Sequence, residues 1–238
     1  MNTYPVVGLI VPKTTNTIPP DASSMYPDIR FVARGVGVQE LSEAGYQKAW
    51  EAIVPAAHEL AKCDVQAIMV MGTSLTFYRG HEAHQDLLER LRSETGLPVA
   101  TMTSAIVDGL RHVGARRICV CTAYSEDIND RLRDFLEQED FDILSIQGLG
   151  LVEFDAPSRT GAQEVLALAD KVRSAAPNAE AMLVACGGLR MLNLGLEIEE
   201  KYGLPVISST PAALRAAARL VGETGNVEGA GKLFMPLS

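Results

Sequence analysis

The sequence predicts an α/β protein of two pseudo-symmetric lobes, each a mainly parallel sheet flanked by helices, with the active site in the cleft between them. Three observations lead there. Short β-rich apolar runs alternate with longer amphipathic stretches, as parallel strands joined by helical crossovers require. The chain carries the same half twice. The equivalent strand ends of the two halves share turns rich in Gly, Thr and Ser.

In chain order, strands are expected over Val6 to Val11, Ala67 to Met71, Val99 to Thr101, Ile118 to Thr122, Ile143 to Ile146, Met182 to Ala185 and Val206 to Ser208. Each is a short apolar run bounded by turn residues. Between them, helical spacing runs over Glu43 to Cys63, His84 to Thr95, Ser104 to Val113, Glu126 to Glu139, Gly161 to Ala175, Leu189 to Tyr202 and Pro211 to Leu220. Gly96 and Gly203 stand just past two of these stretches, where a left-handed cap favours glycine.

The repeat is read from two pairs of segments. Ile68-Met-Val-Met-Gly-Thr-Ser74 leads through a helix to Gly96-Leu-Pro-Val-Ala-Thr-Met-Thr-Ser-Ala105, and Met182-Leu-Val-Ala-Cys-Gly-Gly188 leads through a helix to Gly203-Leu-Pro-Val-Ile-Ser-Ser-Thr-Pro-Ala212. Two such halves suggest lobes at about 1–115 and 116–238, with the chain free to exchange between them near its C-terminus. Parallel sheets bind ligands beyond the carboxyl ends of their strands, where helix N-termini offer free N–H groups. Small residues and hydroxyls there suit a carboxylate or a phosphate.

A chain of 238 residues with 47% hydrophobic composition can bury one large core or two small ones. Its net charge of −9, with no basic stripe, argues against nucleic-acid and anionic-membrane partners. No apolar run approaches the roughly 18 residues of a membrane span, and no basic segment with a secretory apolar core opens the chain, so a cytoplasmic protein is expected. Cys63, Cys119, Cys121 and Cys186 lack metal-ligand spacing and disulfide density, and are expected as reduced thiols with no metal. Cys119 and Cys121, two apart on a strand, share a face and a core contact. His81 and His84 read as surface residues, as do Arg79 and Arg190. The glycine-rich Gly222 to Gly231 reads as a closing segment.

Aligning the halves sets Gly72 where the second half has Cys186. A pseudo-symmetric cleft with a thiol on each side could move a proton across a carbon from face to face. With glycine at the second-face position, Gly72, only one face has an acid/base, and that is Cys186.

At these residues the chain resembles the aspartate/glutamate racemase superfamily and, within it, the arylmalonate decarboxylases. The resemblance runs through Tyr26-Pro-Asp28, Met71-Gly-Thr-Ser-Leu-Thr-Phe-Tyr-Arg-Gly80, Gly96-Leu-Pro98, Thr122-Ala-Tyr124 and Ala185-Cys-Gly-Gly188. It implies two related lobes with the site between them, no metal and no organic cofactor. It also implies the reaction: a disubstituted malonate loses carbon dioxide to leave an enediolate. Hydroxyls and N–H groups of Thr73 and Ser74, the phenol of Tyr124 and the N–H groups of Cys186 and Gly187 hold that enediolate as a two-oxygen oxyanion hole, and Cys186 protonates it on one face. The resemblance places Val38, Leu41, Leu75 and Val152 on an apolar wall from which the other carboxylate departs, with Asp155 nearby as an acid out of keeping with that wall.

The loop Pro12-Lys-Thr-Thr-Asn-Thr17 resembles instead the Asn-Thr turn of maleate isomerases, so Pro12, Lys13 and Asn16 enter the substrate pocket as candidates. Lys13 or Asn16 could hold a substrate acid group; equally, Lys13 could be solvated and Asn16 could cap the loop. A free thiol has a pKa of about 8.5 and a helix N-terminus lowers it. Decarboxylation needs the thiol protonated, whereas a racemase or isomerase needs thiolate. Beside the decarboxylase there stand, therefore, a maleate-type isomerase or racemase and a non-catalytic binder of small carboxylates. A small-molecule carboxylate is the expected partner, and oligomeric state is left open.

Overall fold

The computed structural model describes residues 4–236. Its first sheet comprises β1 (Val6–Val11), β2 (Arg30–Gly35), β3 (Ala67–Val70) and β4 (Val99–Thr101), in the order β2-β1-β3-β4. The second comprises β5 (Arg117–Thr122), β6 (Asp142–Gly148), β7 (Ala181–Ala185) and β8 (Val206–Ser208), in the order β6-β5-β7-β8. Every pairing in both sheets is parallel. The two orders are the same permutation, so the repeat in the sequence is also a repeat of topology.

The helices are α1 (Pro20–Met25), α2 (Glu43–Ala61), α3 (Thr73–Phe77), α4 (His81–Thr95), α5 (Met102–His112), α6 (Glu126–Gln138), α7 (Ala156–Arg159), α8 (Ala162–Ala175), α9 (Leu192–Tyr202) and α10 (Ser209–Leu220), followed by a 3-10 turn at Lys232–Phe234. Among the described residues no helix is long and apolar enough to cross a membrane. The central strands β3 and β7 are buried along their whole length, as strands covered by helices on both faces must be. Each Ile or Leu fully buried there contributes about 1.5–3 kcal/mol. Helix ends follow local chemistry. Thr101 and Ser104 form a reciprocal capping box at the start of α5, and Gly96 and Gly203 close α4 and α9 in the left-handed conformation at φ 68° and 70°.

The strand β2 was not among the expected elements. Arg30 and Arg34 break up its apolar run, and its buried residues, Phe31 and Ala33, alternate with more exposed ones as on an edge strand. Short α1 and α3 were likewise absent from the periodicity, being too brief to show a helical repeat. His84 also departs from expectation. It is 1% exposed, with Nε2 2.7 Å from Thr101 Oγ1 and its ring edge-on to Phe135, and burial depresses its pKa to about 4. His81 remains partly exposed, paired with Glu139 at 2.8 Å.

The two sheets are joined by α5 and α10, the helices after their last strands. They pack on each other; α5 also touches β7 and β8, while α10 touches β3 and β4. Each of these helices thus bridges both sheets and sets where the two sets of strand ends face one another.

Candidate active site

Between those strand ends lies a cleft of about 720 Å³, lined from both halves. At its floor are the equivalent turns after β3 and β7. Gly72 has φ +107° and Cys186 φ +148°, so both occupy backbone space that side chains disfavour. For a cysteine this costs on the order of 1–3 kcal/mol. Neighbouring contacts hold it there: Cys186 N–H donates to Ser209 Oγ at 3.0 Å, and Thr210 Oγ1 donates to the Gly187 carbonyl at 3.1 Å. The next residue must also be small, since a Cβ on Gly188 would lie 2.8 Å from Pro157 Cβ.

The turn after β3 is held by hydroxyls. Thr103 Oγ1 donates to the Thr73 carbonyl at 3.0 Å, Thr76 Oγ1 to the Gly72 carbonyl at 3.0 Å, and Thr73 Oγ1 to Ser209 Oγ at 2.8 Å. Ser209 Oγ therefore accepts from both turns. Thr73, Ser74, Tyr124, Cys186 and Gly187 all line the cleft, with the Tyr124 phenol beside Thr73, Ser74 and the Cys186 thiol. Burial dominates the thiol's titration and pushes its pKa up to about 11, against opposing pulls from the Gly188 N–H, Tyr124 and the Leu189 N–H. Burial likewise raises the Tyr124 phenol well above its ordinary value. Both groups therefore carry their protons at neutral pH. Cys119 and Cys121 are fully buried in β5, and burial raises the Cys119 thiol to about 11.

Two members of the cluster were not singled out in the sequence, although Ser209 falls within the quoted segment Gly203 to Ala212. Tyr46, from α2, is 2% exposed and lines the cleft; its hydroxyl lies beside Ser74 but has no hydrogen-bond partner of acceptable geometry. In sequence it is one apolar position of an amphipathic helix. Ser209 reads as an ordinary helix start.

Of the expected pocket residues, Pro12, Val38, Leu41 and Leu75 line the cleft, the last three buried, and Lys13 lines its rim with the side chain exposed. Asn16 does not line it: its Oδ1 accepts from Gly35 N–H at 2.9 Å, which makes it a turn-holding residue. Val152 is also displaced, 58% exposed in an adjoining groove, while Phe154 takes the place on the cleft wall. That segment is irregular, so no strand period fixes which side chain turns inward. Asp155 is exposed at the rim shared by cleft and groove. Arg190 is exposed but borders the cleft, where its charge opposes the rise that burial imposes on Asp21. Arg79 lies over the Trp50 ring, 5.4 Å from its centroid, away from the cleft. Among the described residues no three His, Cys, Asp or Glu side chains converge as metal ligands.

The family model for arylmalonate decarboxylase matches residues 7–234. An arylmalonate decarboxylase from Bordetella bronchiseptica is 37% identical over 97% of this chain and 96% of its own. Among solved structures, a doubly substituted arylmalonate decarboxylase in liganded form superposes with a TM-score of 0.94 at 36% identity, covering 97% of this chain and 98% of that one. The maleate cis-trans isomerase of Nocardia farcinica bound to Tris gives 0.88 at 22% identity, covering 97% of each chain, a likeness of fold.

Proposed function

The chain belongs to the arylmalonate decarboxylase family, and from that premise we propose that it is a cofactor-independent carboxy-lyase acting on a disubstituted malonate, with 1–115 and 116–238 as its two lobes. The observation that carries this reading is one thiol in the cleft, held protonated by burial, at the position equivalent to a glycine in the other half.

The malonate enters with one carboxylate among the N–H groups of Thr73 and Gly187, the Ser74 hydroxyl and the Tyr124 phenol, the Thr73 hydroxyl being committed to Ser209, and the other against Val38, Leu41 and Leu75. The apolar wall cannot solvate a charge, so departure as neutral carbon dioxide is favoured there. The C–C bond breaks, its electron pair passes into the remaining carboxylate, and two negatively charged oxygens result. Preorganised donors in a water-poor site stabilise this charge without reorganising. Tyr46, its hydroxyl otherwise unpartnered, adds a donor beside Ser74. Cys186 then gives its proton to the carbon, the resulting thiolate is reprotonated from water, and the product is a monoacid of one hand. Lys13 and Arg190, at the rim, attract the dianion.

A maleate isomerase or a racemase would need Cys186 as thiolate, and a pKa near 11 supports the opposite resting state. The test is carbon dioxide release from aryl and alkyl malonates by wild type and Cys186→Ala. Release by wild type, with loss of about 10²–10⁴-fold in the variant, is expected for a general acid. Full turnover by the variant, or conversion of maleate without gas release, would overturn the assignment.

A further inference from the structure

Tyr46 presents a mechanical problem. With no hydrogen bond to fix its oxygen, the phenol can be aimed only through its ring. That ring packs on Tyr78, centroids 4.9 Å apart at 45°. Tyr78 follows α3 directly and is buried. Arg131 of α6 covers it in turn, with the guanidinium carbon 4.4 Å from the ring centroid and Nη1 donating to the Tyr78 carbonyl at 3.4 Å. Glu43, at the start of α2, lies by the Tyr78 hydroxyl. Arg131 makes no ion pair within 4 Å among the described residues, so its stacking on Tyr78 is not the by-product of a salt bridge.

The geometry points to Arg131 as a positioning residue: through Tyr78 it sets the Tyr46 phenol at the carboxylate-binding end of the cleft, so that a donor from the first half is aimed by a residue of the second. This rests on the decarboxylase reading of the site. Guanidinium and phenol faces attract even at exposed sites, and Arg131, itself exposed, arrives on α6, which packs on α3. The donor is therefore in place only when the two halves are docked.

The test is a double-mutant cycle on Arg131→Met and Tyr46→Phe, with Arg131→Lys as the conservative control. Carbon dioxide release from methyl(phenyl)malonate is followed as kcat and KM, and binding of phenylphosphonate, a dianion with no carboxylate to lose, is measured on the same proteins. Arg131→Met is expected to lower kcat about tenfold with a smaller change in KM, and Arg131→Lys to recover most of it, a cation being kept over the ring. In the Tyr46→Phe background Arg131→Met should cost nothing further. Equal losses in both backgrounds, or no loss in either, would overturn the proposal. Failure of wild type to decarboxylate methyl(phenyl)malonate would count against the substrate reading alone, because phosphonate affinities across the cycle still decide the role of Arg131. Absence of phosphonate binding by wild type would overturn it too.

Discussion

The turn after β3 and the turn after β7 occupy the same place in two copies of one topology, yet they are built from opposite materials. The first is Gly72-Thr73-Ser74, a backbone position glycine fills without strain, followed by hydroxyls. The second is Cys186-Gly187-Gly188, a side chain forced into that same backbone region, followed by residues with no side chain at all. In the proposed reaction these two turns divide the labour: the turn after β3 brings donors for oxygen, and the turn after β7 brings the proton for carbon together with bare backbone that a substrate can approach.

Removing the reactive thiol should have the largest effect. Cys186→Ala should lose the 10²–10⁴-fold expected above while its melting temperature stays close to wild type, because the strained backbone is retained and only a sulfur is lost. A large drop in stability would instead make Cys186 a packing residue. Next in size, Tyr124→Phe removes a donor to oxygen that the second half contributes and should lower kcat for carbon dioxide release by about 10²–10³-fold. An effect confined to KM would show that the phenol binds ground state and transition state alike.

Gly72→Ala probes the other turn. Its Cβ would sit 3.2 Å from Leu75 Cβ at a φ of +107°, so denaturant unfolding should show a loss of about 1–3 kcal/mol. An unchanged midpoint would mean the turn relaxes freely. The smallest effect concerns pH. Burial raises the Cys186 thiol from 9.0 to about 11. In the unfolded chain the thiol loses its proton first, so the stability it contributes is full below pH 9 and falls as pH rises towards 11. Cys186→Ala should remove that share of the alkaline loss, about one proton's worth of slope, leaving the shares of Cys119 and the buried tyrosines. Identical alkaline slopes for the two proteins would place the thiol in contact with water.

The parallel strands and the paired turns were legible in the sequence because both leave local traces: apolar runs of strand length, glycines at fixed offsets, and a repeated pattern whose one mismatch, Gly72 against Cys186, is chemically loud. What was not legible was set by tertiary contact. Tyr46 has the spacing of any apolar residue on α2, and only the fold brings it beside Ser74. Asn16 and Lys13 are near neighbours in one loop, and no period says that Asn16 turns back to Gly35 while Lys13 reaches the rim. Val152 and Phe154 exchanged places for the same reason. His84 looked like a surface residue because its polarity outweighed its position on the buried face of α4.

Ser209 Oγ accepts from Thr73 Oγ1 at 2.8 Å and from Cys186 N–H at 3.0 Å. One oxygen is thereby a common datum for both turns, tying the Cys186 backbone and the Thr73 side chain to the same point. The rim loops carrying Lys13, Phe154, Asp155 and Arg190 have no such tether to it. If the proposed chemistry holds, substitutions at the rim should change which side group is accepted while leaving the interval between the Cys186 thiol and the turn after β3, fixed through Ser209, as it is.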